Sequence, residues 1–268
     1  MQYKRVLTIA GSDPCGGAGI QADIKTISAC GCYAMSAITA IVDQNSQGVY
    51  GIHPVPTNFI KGQINSVLED YGADAIKIGM LHDNEQIIAA CEALADYPVS
   101  NIVIDPVMVA TTGNPLLQKN ALKVMKNDLL PIARIITPNI PEAEKFTGFS
   151  IDSAKQMQEA AQELSFNGKT SVLLKGGHLR GNELVDILFN AETNETLQFR
   201  SPKIDTGNTH GTGCTLSSAI ASFLAHGMNV TEAVCKAKTY ISEAILQGAP
   251  YSISRGHGPV HHFYNFWK

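Results

Sequence analysis

Lys4-Arg5-Val6-Leu7-Thr8-Ile9-Ala10 runs into Gly11-Ser12-Asp13-Pro14-Cys15-Gly16-Gly17-Ala18, and the stretch from Gly19 to Ala29 follows. The first segment is apolar and β-rich, the second a polar glycine turn, the third helix-like. Strand, turn and helix in that order are the opening unit of an α/β fold. The same rhythm continues outward. Strands are expected at Asp74–Ile78, Asn101–Asp105, Arg134–Thr137 and Ser171–Lys175, with a long run of small and β-branched residues from Tyr33 to Val42. Helical spacing is expected at Thr57–Tyr71, Asp83–Asp96, Ala121–Leu130, Ser153–Phe166, Cys214–His226 and Val230–Leu246. Glu183–Phe189 and Glu195–Phe199 read as a hairpin. The alternation predicts a three-layer α/β/α fold, its central sheet mainly parallel with helices on both faces. No Pro/Ser-rich linker, charge block or repeat divides residues 1–268, so one domain is expected.

A net charge of −4 with no Lys/Arg run argues against a nucleic-acid partner. No apolar stretch reaches the roughly 18 residues of a membrane span. The apolar segment at the start runs straight into Gly11-Ser12-Asp13, which fits a buried strand better than a leader. The six cysteines form no C-x-x-C pair, so reduced thiols in a cytoplasmic protein are expected.

The polar punctuation falls just after the strands, where α/β sheets bind ligands. The most informative stretch is Asn208-Thr209-His210-Gly211-Thr212-Gly213-Cys214-Thr215, a glycine turn opening a helix. Such a turn leaves backbone N–H groups pointing at one spot, where anions bind. Helix N–H groups are expected to depress the pKa of Cys214. His210 stands too near Cys214 in sequence for a productive pair. His261-His262 is expected to pack or cap. The first glycine cluster matches neither phosphate fingerprint: Ala22 stands where G-x-x-G would close, and no G-K-[ST] follows.

Gln44 offers a donor and an acceptor on one plane, which suits an amino-pyrimidine edge; otherwise it is a turn amide bonded to backbone. Asp105 at a strand end and Glu142 near a helix start form the acidic pair expected for Mg²⁺. Glu142 has a plain alternative, compensation of the helix dipole. Lys175, at the end of an apolar strand, can meet a transferring phosphate; otherwise it is an edge lysine with a buried stem.

Together these residues resemble a known family. A-G-S-D-x-x-G-G-A-G-I-Q-A-D (10–23), Gln44-Asn45, K-x-G-M-L (77–81), D-P-V-M-V-A (105–110), T-P-N-x-x-E-A (137–143), L-K-G-G-H (174–178), N-T-H-G-T-G-C-T (208–215) and G-H-G-P-V (256–260) are similar to the hydroxymethylpyrimidine/phosphomethylpyrimidine kinases of thiamine biosynthesis. These belong to the ribokinase-like superfamily. The resemblance runs from Ala10 to about Trp267. It implies transfer of the γ-phosphate of ATP, first to 4-amino-5-hydroxymethyl-2-methylpyrimidine and then to its monophosphate. It implies pyrimidine contacts at Gly11, Asp23, Gln44, Met80 and Val107, with Cys214 near the acceptor hydroxyl. Asp105 and Glu142 fall on the Mg²⁺ side, and Lys175 and the amides of Gly211, Thr212, Gly213 and Cys214 on the phosphate side. His257 and Gly258 fall near the nucleotide, and a homodimer is implied. Asp43 and Gly207 depart from the family pattern, and Asp43 adds a charge beside Gln44. The alternatives are a pyridoxal kinase of the same superfamily, a silent pyrimidine-sensing protein and a dinucleotide oxidoreductase. The intact Lys175, Asp105 and Gly211–Cys214 set disfavours the silent protein, and the incomplete fingerprint the oxidoreductase.

Overall fold

In the computed structural model, which describes residues 2–110, 112–177 and 183–267, the strands are β1 (Arg5–Ala10), β2 (Tyr33–Ile38), β3 (Ala40–Asn45), β4 (Gly48–Pro54), β5 (Ala75–Ile78), β6 (Ile102–Ile104), β7 (Ile135–Ile136), β8 (Ser171–Leu174), β9 (Glu183–Asn190) and β10 (Glu195–Pro202). The helices are α1 (Gly19–Ala29), α2 (Thr57–Asp70), α3 (Asn84–Ala95), the single turn α4 (Ala121–Val124), α5 (Ile140–Thr147), α6 (Ala154–Glu163), α7 (Thr212–Ala225) and α8 (Val230–Gly248). Among the described residues, eight strands form one sheet in the order β10-β9-β8-β7-β6-β5-β1-β2. β2, β1, β5, β6, β7 and β8 run parallel, while β9 is antiparallel to both of its neighbours.

The central strands read as near-continuous apolar runs because both sheet faces are covered. Alternate residues serve opposite layers. Leu7, Ile9, Ile76, Ile78 and Ile104 pack with Ile60, Ile64, Ile87, Phe146 and Met157 of α2, α3, α5 and α6. Val6, Ala75, Val103 and Leu173 pack with Ile27, Leu216, Ile220, Val234 and Ile241 of α1, α7 and α8. Burying each such side chain stabilises the fold by about 1.5–3 kcal/mol. The strand order reverses at β1: α1 leads to β2 on one side, and β5 lies on the other. That reversal opens a crevice beyond the carboxyl ends of β1 and β5.

Three local expectations need correction. The Tyr33–Val42 run is two strands broken at Thr39, whose hydroxyl donates to the Met80 carbonyl at 2.7 Å. β2 stays in the sheet, and β3 leaves it to pair with β4. No glycine or proline marks the break. Strand β4 was missed, because two glycines and a terminal proline interrupt its apolar residues Val49, Tyr50 and Ile52. Finally, the helix expected over Ala121–Leu130 keeps one α-turn and widens to a π-turn at Met125–Leu129. Pro131 lacks an N–H, and its ring crowds the carbonyl four residues back, which ends regular helix there.

The polar centre of the core is an ion pair. Lys77 of β5 and Asp23 of α1 are both wholly buried, with Lys77 Nζ 2.8 Å from Asp23 Oδ2. The Thr8 and Ser218 hydroxyls donate to the same carboxylate at 2.6 and 2.8 Å. Burial alone would lower the Lys77 ammonium, but Asp23 holds it above its ordinary value. Lys77→Met is therefore expected to cost about 3–5 kcal/mol by leaving an unpaired buried charge. Adding Asp23→Asn should recover much of that loss, as read by urea unfolding followed by circular dichroism.

Candidate active site

The carboxyl ends of β1 and β5–β8, the β3–β4 hairpin and the start of α7 line a cavity of about 520 Å³. At its base lies the glycine turn before α7. Gly211 has φ +80°, and a Cβ there would overlap the Gly17 carbonyl oxygen. Only glycine satisfies both conditions. Because Gly211 is also the N-cap, no side chain caps α7. Thr212, Gly213 and Cys214 of its first turn line the cavity; the Thr212 N–H donates to the Thr209 carbonyl at 3.3 Å, and this turn, with the next two N–H groups, is the candidate anion cradle.

Against this cradle stands a charged pair. Lys175 Nζ lies 2.8 Å from Asp105 Oδ1, and the Thr137 hydroxyl donates to the same oxygen at 3.0 Å. A Cβ on Gly213 would come within 3.2 Å of Asp105 Oδ2 and 3.4 Å of Lys175 Nζ, so glycine lets the helix start approach them. Burial would lower the Lys175 ammonium, yet Asp105 and Glu142 keep it raised. Glu142 sits in the first turn of α5 and makes a capping box with Asn139, the two bonds being 2.8 and 2.9 Å. The plain reading of Glu142 thus holds alongside its place on the cavity wall. Burial, with repulsion from Asp105, pushes its carboxyl up to about 7 against the pull of Lys175.

Two neighbouring buried carboxylates suit a hard cation. Among the described residues no group of three or more His, Cys, Asp or Glu side chains makes a cage. That arrangement fits Mg²⁺, which commonly takes one or two carboxylates and completes its shell with water and phosphate. Asp105 and Glu142 are the residues that would hold it.

Cys214 corrects an expectation. Its thiol is pushed up to about 11, because burial outweighs the favourable Lys77 charge, and Asp23 and Asp105 add to the rise. The helix start does not overcome desolvation here, and the group at the cradle is a neutral thiol at pH 7.

On the acceptor side, Gly11, Gln44, Met80 and Val107 all line the cavity, joined by Ser12, Val42 and Leu116. Gly11 is tight against Met80, whose Sδ would lie 3.0 Å from an added Cβ. Other expected residues lie elsewhere. Asp23 is 0% exposed and does not line the cavity, so it acts from beneath through Lys77 and Ser218. His257 and Gly258 are also absent from the lining. Gly258 accepts from the His210 N–H at 3.0 Å, and His257 Nδ1 lies 3.3 Å from the Gly207 carbonyl. They brace the turn before the cradle. Asp43 is exposed on the far face of β3 and does not line the cavity. A Cβ at Gly207 would meet open space. His178 lies outside the described residues. His262 packs as expected, with Nε2 3.1 Å from the Thr215 hydroxyl.

The organising role of Asp13 went unread in the sequence. Its buried carboxylate accepts from the N–H groups of Cys15, Gly17 and Ala18 at 2.9, 3.0 and 2.7 Å, and lies 2.8 Å from His210 Nε2. Burial would raise it, but His210, Gln44 and the Ala18 amide hold it down at about 2. The available signal was Asp followed by Pro and Gly, an Asx-turn pattern. Asp13 clips the first glycine turn to the turn that carries the cradle.

Three-layer architecture, a helix start open to anions and a lysine–carboxylate set at one crevice mark a small-molecule kinase of the ribokinase-like class. Residues 13–261 match the family model described as phosphomethylpyrimidine kinase. A hydroxymethylpyrimidine/phosphomethylpyrimidine kinase from Rhizobium meliloti is 45% identical over 98% of both chains. The thiamine biosynthesis bifunctional protein of Geobacter sulfurreducens is 49% identical over 96% of this chain, which spans 52% of that longer protein. Among solved structures, phosphomethylpyrimidine kinase from Clostridium difficile superposes with a TM-score of 0.80 at 46% identity, covering 90% of this chain and 99% of that one. Pyridoxal kinase from Staphylococcus aureus in complex with ADP superposes with a TM-score of 0.90 at 34% identity, covering 99% and 96%. The chain belongs to the phosphomethylpyrimidine kinase family.

The raised Glu142 carboxyl predicts a pH signature. The native state holds this proton to a higher pH than the unfolded chain does, so its contribution to stability is lost as pH rises through about 7. In EDTA, Glu142→Gln is expected to match the parent near pH 5 and to melt higher than it at pH 8. Differential scanning fluorimetry across that range is the check.

Proposed function

We propose that this chain transfers the γ-phosphoryl group of ATP to the hydroxymethyl oxygen of 4-amino-5-hydroxymethyl-2-methylpyrimidine, and then transfers a second one to the phosphate so formed. The observation that carries this reading is the Gly211–Cys214 cradle abutting the Lys175–Asp105 pair, with Gln44 and Val107 lining the same cavity. Gln44 supplies the donor and acceptor that match the amino-pyrimidine edge. Gly11, Met80, Val42 and Leu116 shape an apolar slot for the flat ring. In each step an acceptor oxygen bonds to the γ-phosphorus, the bond to the bridging oxygen breaks, and ADP leaves. The hydroxyl proton of the first step passes to the transferred group or to solvent.

Such transfers have loose transition states, and the protein acts chiefly by positioning and electrostatics. The cradle amides meet charge on the equatorial oxygens, and Lys175, paired with Asp105, adds a cation. Asp105 and Glu142 would hold Mg²⁺, which would supply neutralisation of phosphate charge. Cys214 borders the acceptor without carrying charge, which suits a site whose second acceptor is itself an anion. A carboxylate in that place would repel the monophosphate by about 1–4 kcal/mol at 4 Å.

The likeness to pyridoxal kinase keeps a second acceptor in view, a ring that also bears a hydroxymethyl group. The pyrimidine names of the family model and of the full-length relative favour the first.

Product analysis with the free pyrimidine, ATP and Mg²⁺ is expected to show monophosphate and then diphosphate. Faster turnover of pyridoxal would reverse the order of the two acceptors. Cys214→Asp should keep most of the first transfer and lose the second. Equal effects on both steps would refute the charge argument.

A further inference from the structure

Lys175 leaves the end of β8, and what fixes its backbone lies outside the cavity. Its own N–H donates to the Pro138 carbonyl at 2.9 Å. The next N–H, on Gly176, donates to Asp186 Oδ1 at 2.7 Å. Gly176 has no room for a side chain, since a Cβ there would overlap the Val185 carbonyl oxygen. Asp186 and Val185 belong to β9, which pairs with β8 through Leu174 and Ile187 and extends past its end. The other Asp186 oxygen lies 2.5 Å from Lys238 Nζ of α8. Both side chains are largely buried, and neither lines the cavity.

A backbone N–H needs only one neutral acceptor, and an asparagine would serve. A buried carboxylate brings a desolvation cost that a second charged side chain must offset. The sequence supplies that second side chain from a different element, Lys238 of α8. We infer that Asp186, held by Lys238, is a positioning residue for phosphoryl transfer: it locks the Lys175-Gly176 turn so that the Lys175 ammonium is aimed at the cradle. Pro138 on one side and Asp186 on the other leave Lys175 only its side-chain torsions. Without the Asp186 acceptor, the turn that carries Lys175 and the cavity-lining Gly177 can tilt. Acceptor binding is unaffected, because Gln44 and Val107 hang from other strands.

This inference rests on the role given to Lys175, so the experiment includes Lys175→Met. Initial rates are measured on the full chain with the free pyrimidine and ATP/Mg²⁺, beside thermal unfolding of each variant. Asp186→Ala is expected to lower kcat by about 10²-fold, the scale of an ångström-sized misplacement, with KM for the pyrimidine within about twofold. Asp186→Asn combined with Lys238→Met keeps an acceptor and removes the stranded cation, and should return kcat to within about tenfold of the parent. A folded Asp186→Ala variant with parental kcat overturns the inference. So does a double variant as slow as Asp186→Ala, or a loss equal to the unfolded fraction. If Asp186→Ala does not fold, Asp186→Glu replaces it: a kcat down at least about tenfold at parental melting temperature supports the inference, and parental kcat overturns it. If Lys175→Met itself keeps parental kcat, the fault lies with the Lys175 assignment; if Lys175→Met is slow and Asp186→Ala is not, only the positioning role falls.

Discussion

A carboxylate and an ammonium with no exposure to solvent, Asp23 and Lys77, lie under the cavity floor. They tie together four elements that meet at the topological switch: α1, β5, β1 through the Thr8 hydroxyl and α7 through the Ser218 hydroxyl. Helix α7 begins at Thr212, less than two turns before Ser218. The buried pair therefore sets the height at which the cradle meets the strand ends. It also fixes the electrostatics above it. Its opposite charges act on the Cys214 thiol in opposite senses, and burial decides the outcome in favour of the neutral form.

Charged groups in the cavity and behind it share a pattern, in that neighbouring groups, several of them on other elements, hold them in place. Asp105 is met by Thr137 and Lys175, Asp13 by three backbone N–H groups and His210, Asp186 by Gly176 and Lys238. A parallel sheet makes this practical, because successive strands end on one line and their loops face one another. The result is a cavity lined by fixed dipoles and paired charges, which suits a polyanion and leaves little reorganisation for the proposed transfer.

How much of this was legible in sequence depended on whether a signal was local. Apolar strands such as Val6–Ala10 and the helices between them were readable because burial on two faces leaves a continuous pattern. The glycine turn at 211–213 was readable because its backbone needs glycine. The split at Thr39 was not, since a tertiary bond to Met80 makes it without any breaker residue. The place of Asp23 was misread for the same reason: position on α1 is visible, but its partner Lys77 lies 54 residues away in the chain. The pKa of Cys214 went the wrong way because a helix start can be seen in sequence and desolvation cannot.

The β3–β4 hairpin stands apart from the main sheet and has a small apolar cluster of its own, Ala40, Val42, Met80 and Leu116. Its polar ties to the rest include the Ser12 N–H to the Ala40 carbonyl, the Val42 N–H to the Ser12 hydroxyl, the Val49 N–H to Asn114 Oδ1 and the Gly256 N–H to the Ser46 hydroxyl. The groups proposed for phosphoryl transfer all hang from other elements. Part of the proposed ring contact, Val42 and Gln44, is thus carried on an element that bears none of them. Mutations in the hairpin can retailor which flat heterocycle is admitted while the transfer machinery is passed on unchanged.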